Sequence, residues 1–175
     1  MTMDVNGREF EVLRLLGKGK GGYSYLVRDG KERFVLKQIH HEPCDYYQFG
    51  DKLASEMHDY AKLSRIGIAM PQLFDVDHEQ ERILKEYIDG PTVFELVRDG
   101  GNVDECLDQV KQMCHLLYAN GTNIDYFPTN FVLGKCKLFY IDYECNQYMQ
   151  QWDFERWGIK YWSRTPEFEA YLNSK

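Results

Sequence analysis

Apolar positions along the chain change period several times, and each change marks an element. Residues 8–16, REFEVLRLL, alternate in part and predict a strand. The stretch Gly17-Lys18-Gly19-Lys20-Gly21-Gly22 interrupts it, and Tyr23 to Val27 predict a second strand. Asp29-Gly30 marks a tight turn into a third, Glu32 to Ile39. Over 45–64 the spacing becomes helical, with Leu53, Met57 and Tyr60 on one stripe and Ala61 and Ser64 beside it. Pro71 to Asp77 and Arg82 to Ile88 predict two more strands around a polar turn, and Asp89-Gly90-Pro91 is a breaker. Thr92 caps a short helix over 93–98, which Gly100-Gly101 ends. Residues 103–119 place Val103, Cys106, Leu107, Val110, Met113, Cys114 and Leu117 at helical spacing, and Gly121 stops that helix. Cys106, Met113 and Cys114 read as core, and His115 beside them as structural. Phe131-Val132-Leu133 and Leu138 to Ile141, around a Gly134-Lys135 turn, predict a hairpin. Thr165-Pro166-Glu167 predicts a last helix start.

Length and charge narrow the classes. A chain of 175 residues forms one domain or two small lobes sharing a cleft. A net charge of −7 argues against nonspecific nucleic-acid binding, which needs basic surface. The N-terminal MTMDVNG lacks the basic-then-apolar pattern of a signal peptide, and no apolar run reaches the length of a membrane span. Cys44, Cys106, Cys114, Cys136 and Cys145 include no C-x-x-C pair, so neither a zinc site nor a redox motif is expected. A reduced, cytoplasmic protein is the simplest expectation.

The candidate chemistry centres on residues 121–144, GTNIDYFPTNFVLGKCKLFYIDYE. The hairpin places Asp125, Asn130 and Asp142 at its open end, and three such oxygen-bearing side chains suit a hard cation bound to a phosphate. A solvated polar loop satisfies the same letters. Gly17, Gly19 and Gly22 form G-x-G-x-x-G, here between strands rather than between strand and helix, so a hairpin turn is the expected setting. Without a Cβ, such backbone can approach phosphate oxygens closely. Lys37 shares a face with Val35 and Ile39, where an ammonium needs a partner or must snorkel. Glu56, at the edge of the helical stripe, is that partner or a solvated flank charge.

In this order, G17-K-G-K-G-G22, V35-L-K37, Glu56, N123-I-D125-Y-F-P-T-N130 and I141-D142-Y-E144 resemble the protein kinase-like superfamily. The resemblance implies an α+β, compact two-lobed fold. Its N-lobe, 1–88, would hold an antiparallel sheet and one helix; its truncated, mostly helical C-lobe would be 89–175. It implies an ATP- and Mg²⁺-dependent phosphotransferase acting on a hydroxyl of a protein or small molecule. Gly17, Gly19 and Gly22 would cover the nucleotide, and the backbone at Glu86 and Ile88 would meet adenine. Lys37 would hold the α/β-phosphates with Glu56 orienting it. Asp125 would orient the acceptor hydroxyl, and Asn130 and Asp142 would bind Mg²⁺. Asn123-Ile124 stands where typical protein kinases carry His-Arg, and Phe127 replaces their lysine. Asp142-Tyr143-Glu144 is closer to choline kinases and aminoglycoside phosphotransferases, and the short second lobe to small RIO-type kinases. A nucleotide-binding pseudokinase is the alternative. The tail, with Tyr148, Trp152, Phe154, Trp157, Tyr161, Trp162, Phe168 and Tyr171, would cap the shortened lobe or form a homodimer surface.

Overall fold

The computed structural model describes residues 1–42 and 51–175. The chain combines helices with antiparallel strands, an α+β arrangement. It divides into two compact units: Met1–His58 with Pro71–Tyr87, and Asp59–Met70 with Ile88–Lys175.

The first unit is a six-stranded antiparallel sheet in the order β1-β2-β3-β4-β6-β5. Its strands are β1 (Thr2–Val5), β2 (Arg8–Lys18), β3 (Gly22–Asp29), β4 (Glu32–Ile39), β5 (Leu73–Asp77) and β6 (Arg82–Glu86). β1 was not anticipated, although Asn6-Gly7 is a strong hairpin signal. Both residues have positive φ, 50° and 85°. The turn is held from β5, where Asp77 Oδ2 accepts from the Asn6 amide at 2.8 Å. Hydrogen bonds from the Gln80 and Asn6 amides hold the Asp77 carboxyl below its ordinary pKa. Val5, Phe10, Val27, Phe34, Leu36 and Leu84 bury one face of the sheet. On the other, Ile39 and Ile83 pack with Leu53 and Met57 of helix α1 (Lys52–Ile66). Of the helix expected over 45–64, residues 45–50 lie outside the described residues, as does Cys44.

The second unit is built on α3 (Asp104–Ala119), whose Cys106, Val110, Met113, Cys114 and Leu117 are buried as the spacing predicts. His115 is exposed instead, because it falls on the solvent side of that stripe. Before α3 comes α2 (Val93–Arg98), closed by a reciprocal capping box between Thr92 and Glu95. A short ladder pairs β7 (Thr122–Ile124) with β10 (Cys145–Gln147), and a hairpin pairs β8 (Phe131–Gly134) with β9 (Lys137–Tyr140). The hairpin turn is not Gly134-Lys135. Lys135 and Cys136 make it, at φ 41° and 70°, and Gly134 closes the strand, where a Cβ would sit 2.8 Å from Ile88 Cγ2. Gly90 is likewise a close approach, since a Cβ there would overlap the Leu133 carbonyl. The tail ends in α4 (Pro166–Asn173), with Thr165 Oγ1 accepting from the Phe168 amide at 3.1 Å. Among the described residues no helix is long and apolar enough to cross a membrane.

Burial makes a direct prediction about the thiols. Desolvation pushes the Cys114 thiol up to about 11 and Cys145 up to about 12, and raises Cys106 as well. Cys136 is exposed. Since the thiolate is the reactive form, Cys114 at pH 8 is ionised to only roughly one part in a thousand. In a Cys44→Ser background, iodoacetamide at pH 8 should label Cys136 quickly and the three buried thiols only on unfolding. Rapid labelling of a second cysteine, mapped by peptide mass, would contradict this packing.

Candidate active site

In the first unit, β4 carries Lys37 toward α1. Lys37 Nζ lies 2.6 Å from Glu56 Oε1, and each side chain is 12% exposed. The expected pairing is therefore present. Glu56 Oε2 is buried and meets no hydrogen-bond partner among the described residues. A mostly buried ion pair gains little net stability over an apolar pair, because both charges are desolvated.

The glycine turn joins β2 to β3 at residues 19–21. Gly17 pairs with Ser24 inside the ladder, so it belongs to the strand rather than to the turn. The Gly19 amide donates to Gly22 O at 2.9 Å, closing the turn. At Gly22 a Cβ would come within 2.5 Å of Gln38 O and 3.2 Å of Lys37 Cε. At Gly21 it would stand 3.8 Å from Lys37 Nζ. The turn thus lies against the lysine, and the position that excludes any side chain is Gly22, at the start of β3. Glu86 ends β6, its amide donating to Gln72 O at 2.8 Å. Lys85 before it is buried opposite Val35 and Leu73. Ile88 is buried in the second unit.

In the second unit, the loop after β7 and the end of β9 are drawn together by one hydroxyl. Tyr140 is fully buried. Its Oη accepts from the Asp125 amide at 3.3 Å and donates to Glu144 O at 2.7 Å. Burial, with the charges of Asp142 and Asp125, holds that phenol well above its ordinary pKa, so it stays neutral. Beside it the Ile141 amide donates to Asn130 O at 2.9 Å, and Asn130 Nδ2 donates to Asp125 O at 3.3 Å. Asp125 Oδ1 accepts from the Phe127 amide at 3.1 Å, which sets the carboxylate on its loop. These bonds bring Asp125, Asn130 and Asp142 to one end of the β8–β9 hairpin. Glu144 is exposed.

Sequence reasoning missed the residues that hold this loop. Asn123, noted only as a substitution, is buried; its Nδ2 donates to Met149 O at 3.0 Å, and its Oδ1 accepts from Tyr126 Oη at 3.2 Å. Trp162 Nε1 donates to Tyr126 O at 2.8 Å. Phe127 lies among Tyr171, Tyr161, Phe94 and Trp157, with ring centroids 4.7–6.4 Å away. A polar tip on a buried aromatic is the one available signal for Tyr140 and Trp162, because each needs a hydrogen-bond partner.

No family model matches the chain. It is 28% identical over 140 residues to a probable bifunctional tRNA threonylcarbamoyladenosine biosynthesis protein of Methanococcus maripaludis strain C7, covering 77% of this chain and 25% of the relative. The protein of the same description from strain C6 matches over the same extent. An Aurora kinase of Yarrowia lipolytica is 30% identical over 135 residues, covering 71% of this chain and 36% of the kinase. The chain spans about a quarter to a third of the length of these curated relatives.

Tyr140→Phe removes the hydrogen bonds that the hydroxyl makes to the Asp125 amide and the Glu144 carbonyl. Each such bond contributes about 1 kcal/mol. Urea denaturation should show a loss of about 2 kcal/mol. An unchanged midpoint would mean that the hydroxyl does not join the two segments.

Proposed function

We propose that this chain is a kinase-like phosphotransferase that uses ATP and Mg²⁺ to phosphorylate a hydroxyl acceptor. The observation that carries the reading is the Lys37–Glu56 pair set against a glycine turn, which is hard to account for as a stability device. The similarity to an Aurora kinase supports the same class. In this reading Lys37, oriented by Glu56, neutralises α/β-phosphate charge while the glycine turn covers the phosphates with backbone amides. The backbone at Glu86 and Ile88 receives the adenine. Asp125, its carboxylate set by the Phe127 amide, orients the acceptor hydroxyl and accepts its proton.

The donor set fits Mg²⁺. Among the described residues no cluster of three or more His, Cys, Asp or Glu side chains could hold a metal. Mg²⁺ does not require such a cage, because it takes one or two carboxylates with phosphates and water. Asp142 would hold it with its carboxylate. Asn130 would use its amide oxygen, since its nitrogen is engaged with Asp125 O. When bound, the ion supplies positive charge to the phosphoryl oxygens.

A second reading, a nucleotide-binding module without turnover, draws on Phe127. That position, a lysine in typical protein kinases, here anchors aromatic packing of the tail. One assay separates the two. Purified protein is incubated with labelled ATP and Mg²⁺ over protein and small-molecule acceptors, beside Asp125→Ala and Asp142→Asn. Catalysis predicts transfer by the parent chain, reduced at least about a hundred-fold in Asp125→Ala, with a comparable loss in Asp142→Asn. Binding with no turnover on any acceptor establishes the module, and neither binding nor turnover removes both readings.

A further inference from the structure

Helix α1 begins on a lysine to which the phosphotransferase reading assigns no role. Lys52 is 4% exposed. Its ammonium donates to Lys20 O at 3.3 Å and to His40 O at 2.5 Å. Burying an ammonium is unfavourable unless acceptors surround it, and the first turn of a helix opposes a cation through its dipole. Lys52 meets that requirement with carbonyl acceptors from two separate segments. Lys20 is the tip of the glycine turn, and His40 follows the strand that carries Lys37.

The surrounding bonds make one connected group. The His40 amide donates to Gly21 O at 3.1 Å, and its ring Nε2 donates to Gly19 O at 2.9 Å while Nδ1 accepts from the Glu42 amide at 3.3 Å. Four residues beyond Lys52, on the same helical face, Glu56 holds Lys37. One turn of α1 therefore grips the glycine turn with a cation and the phosphate-binding lysine with an anion.

We propose that Lys52 is a positioning residue that fixes the glycine turn against Lys37 and couples both to the placement of α1. The turn is thereby arranged before nucleotide arrives, which lowers the ordering entropy of binding. The role in nucleotide binding rests on the phosphotransferase reading. The clamp itself belongs to the free protein and is measured without nucleotide.

Amide hydrogen exchange on the full chain tests the clamp, with Lys52→Met removing the donors and Lys52→Arg retaining them. Losing charge-assisted hydrogen bonds of this kind corresponds to about ten-fold or more in local opening. The Gly19 and His40 amides should exchange at least about ten-fold faster in Lys52→Met and regain protection in Lys52→Arg, while β9 amides stay unchanged. If Lys52→Met fails to fold, Lys52→Gln takes its place in the same comparison. In the Mg²⁺–ATP assay the KM for ATP should rise about ten-fold with kcat little changed, the signature of lost ground-state positioning. Unaltered Gly19 and His40 exchange overturns the clamp, whatever the assay shows. Faster exchange with KM unmoved in a chain that turns over removes its role in nucleotide positioning. Absence of nucleotide binding by the parent chain defeats the phosphotransferase reading and leaves the exchange result standing.

Discussion

The candidate site of the second unit depends on a single buried phenol. Tyr140 sits in a strand, opposite Phe131, and reaches sideways to two backbone segments that the chain order separates. Its hydroxyl accepts from the Asp125 amide and donates to the Glu144 carbonyl. A tyrosine can do both only while neutral, and full burial keeps it so. The position of Asp125 relative to Asp142 therefore depends on a side chain whose ring is anchored by packing and whose oxygen is buried, together with the Asn130 bonds to Ile141 and Asp125.

Aromatic packing supplies the remaining support for that loop. Trp162 and Phe154 are almost fully buried, and the indole N–H of Trp162 meets the carbonyl of Tyr126. Gly158 allows this approach, since a Cβ there would stand 2.6 Å from Tyr126 Cβ. Phe127 extends the cluster to Phe94 on α2 and Tyr171 on α4. Large rings bury more area per residue than aliphatic side chains, so a short tail can immobilise a loop with few residues. Trp152 is the exception, half exposed at the edge of this cluster.

In the first unit electrostatics take the place that aromatics hold in the second. Two lysines, Lys37 and Lys52, are drawn out of water against one turn of α1 and one glycine turn. Desolvation works against both, and their partners restore the balance only at short range and in good geometry. Such an arrangement tolerates little displacement. The proposed clamp ties the first turn of α1, the glycine turn and Lys37 together.

Local rules made much of the chain legible. Thr92 with Glu95 and Thr165 with Pro166 marked helix starts because capping is a contact between near neighbours. The period of Cys106, Val110, Met113 and Leu117 marked a buried face because helical geometry repeats at short range. Lys37 and Glu56 could be paired in advance, as an ammonium among apolar strand residues demands an anion and one helix edge offered it. The hairpin turn was misplaced by one residue because glycine has two uses. Gly134 meets the close approach of Ile88, and the positive φ falls on Lys135 and Cys136. The roles of Tyr140, Asn123, Trp162 and Lys52 belong to the tertiary structure alone. Each acts through hydrogen bonds to backbone atoms between 4 and 36 residues away. No composition or period specifies which carbonyl a buried donor will meet, because that partner exists only once the packing has formed.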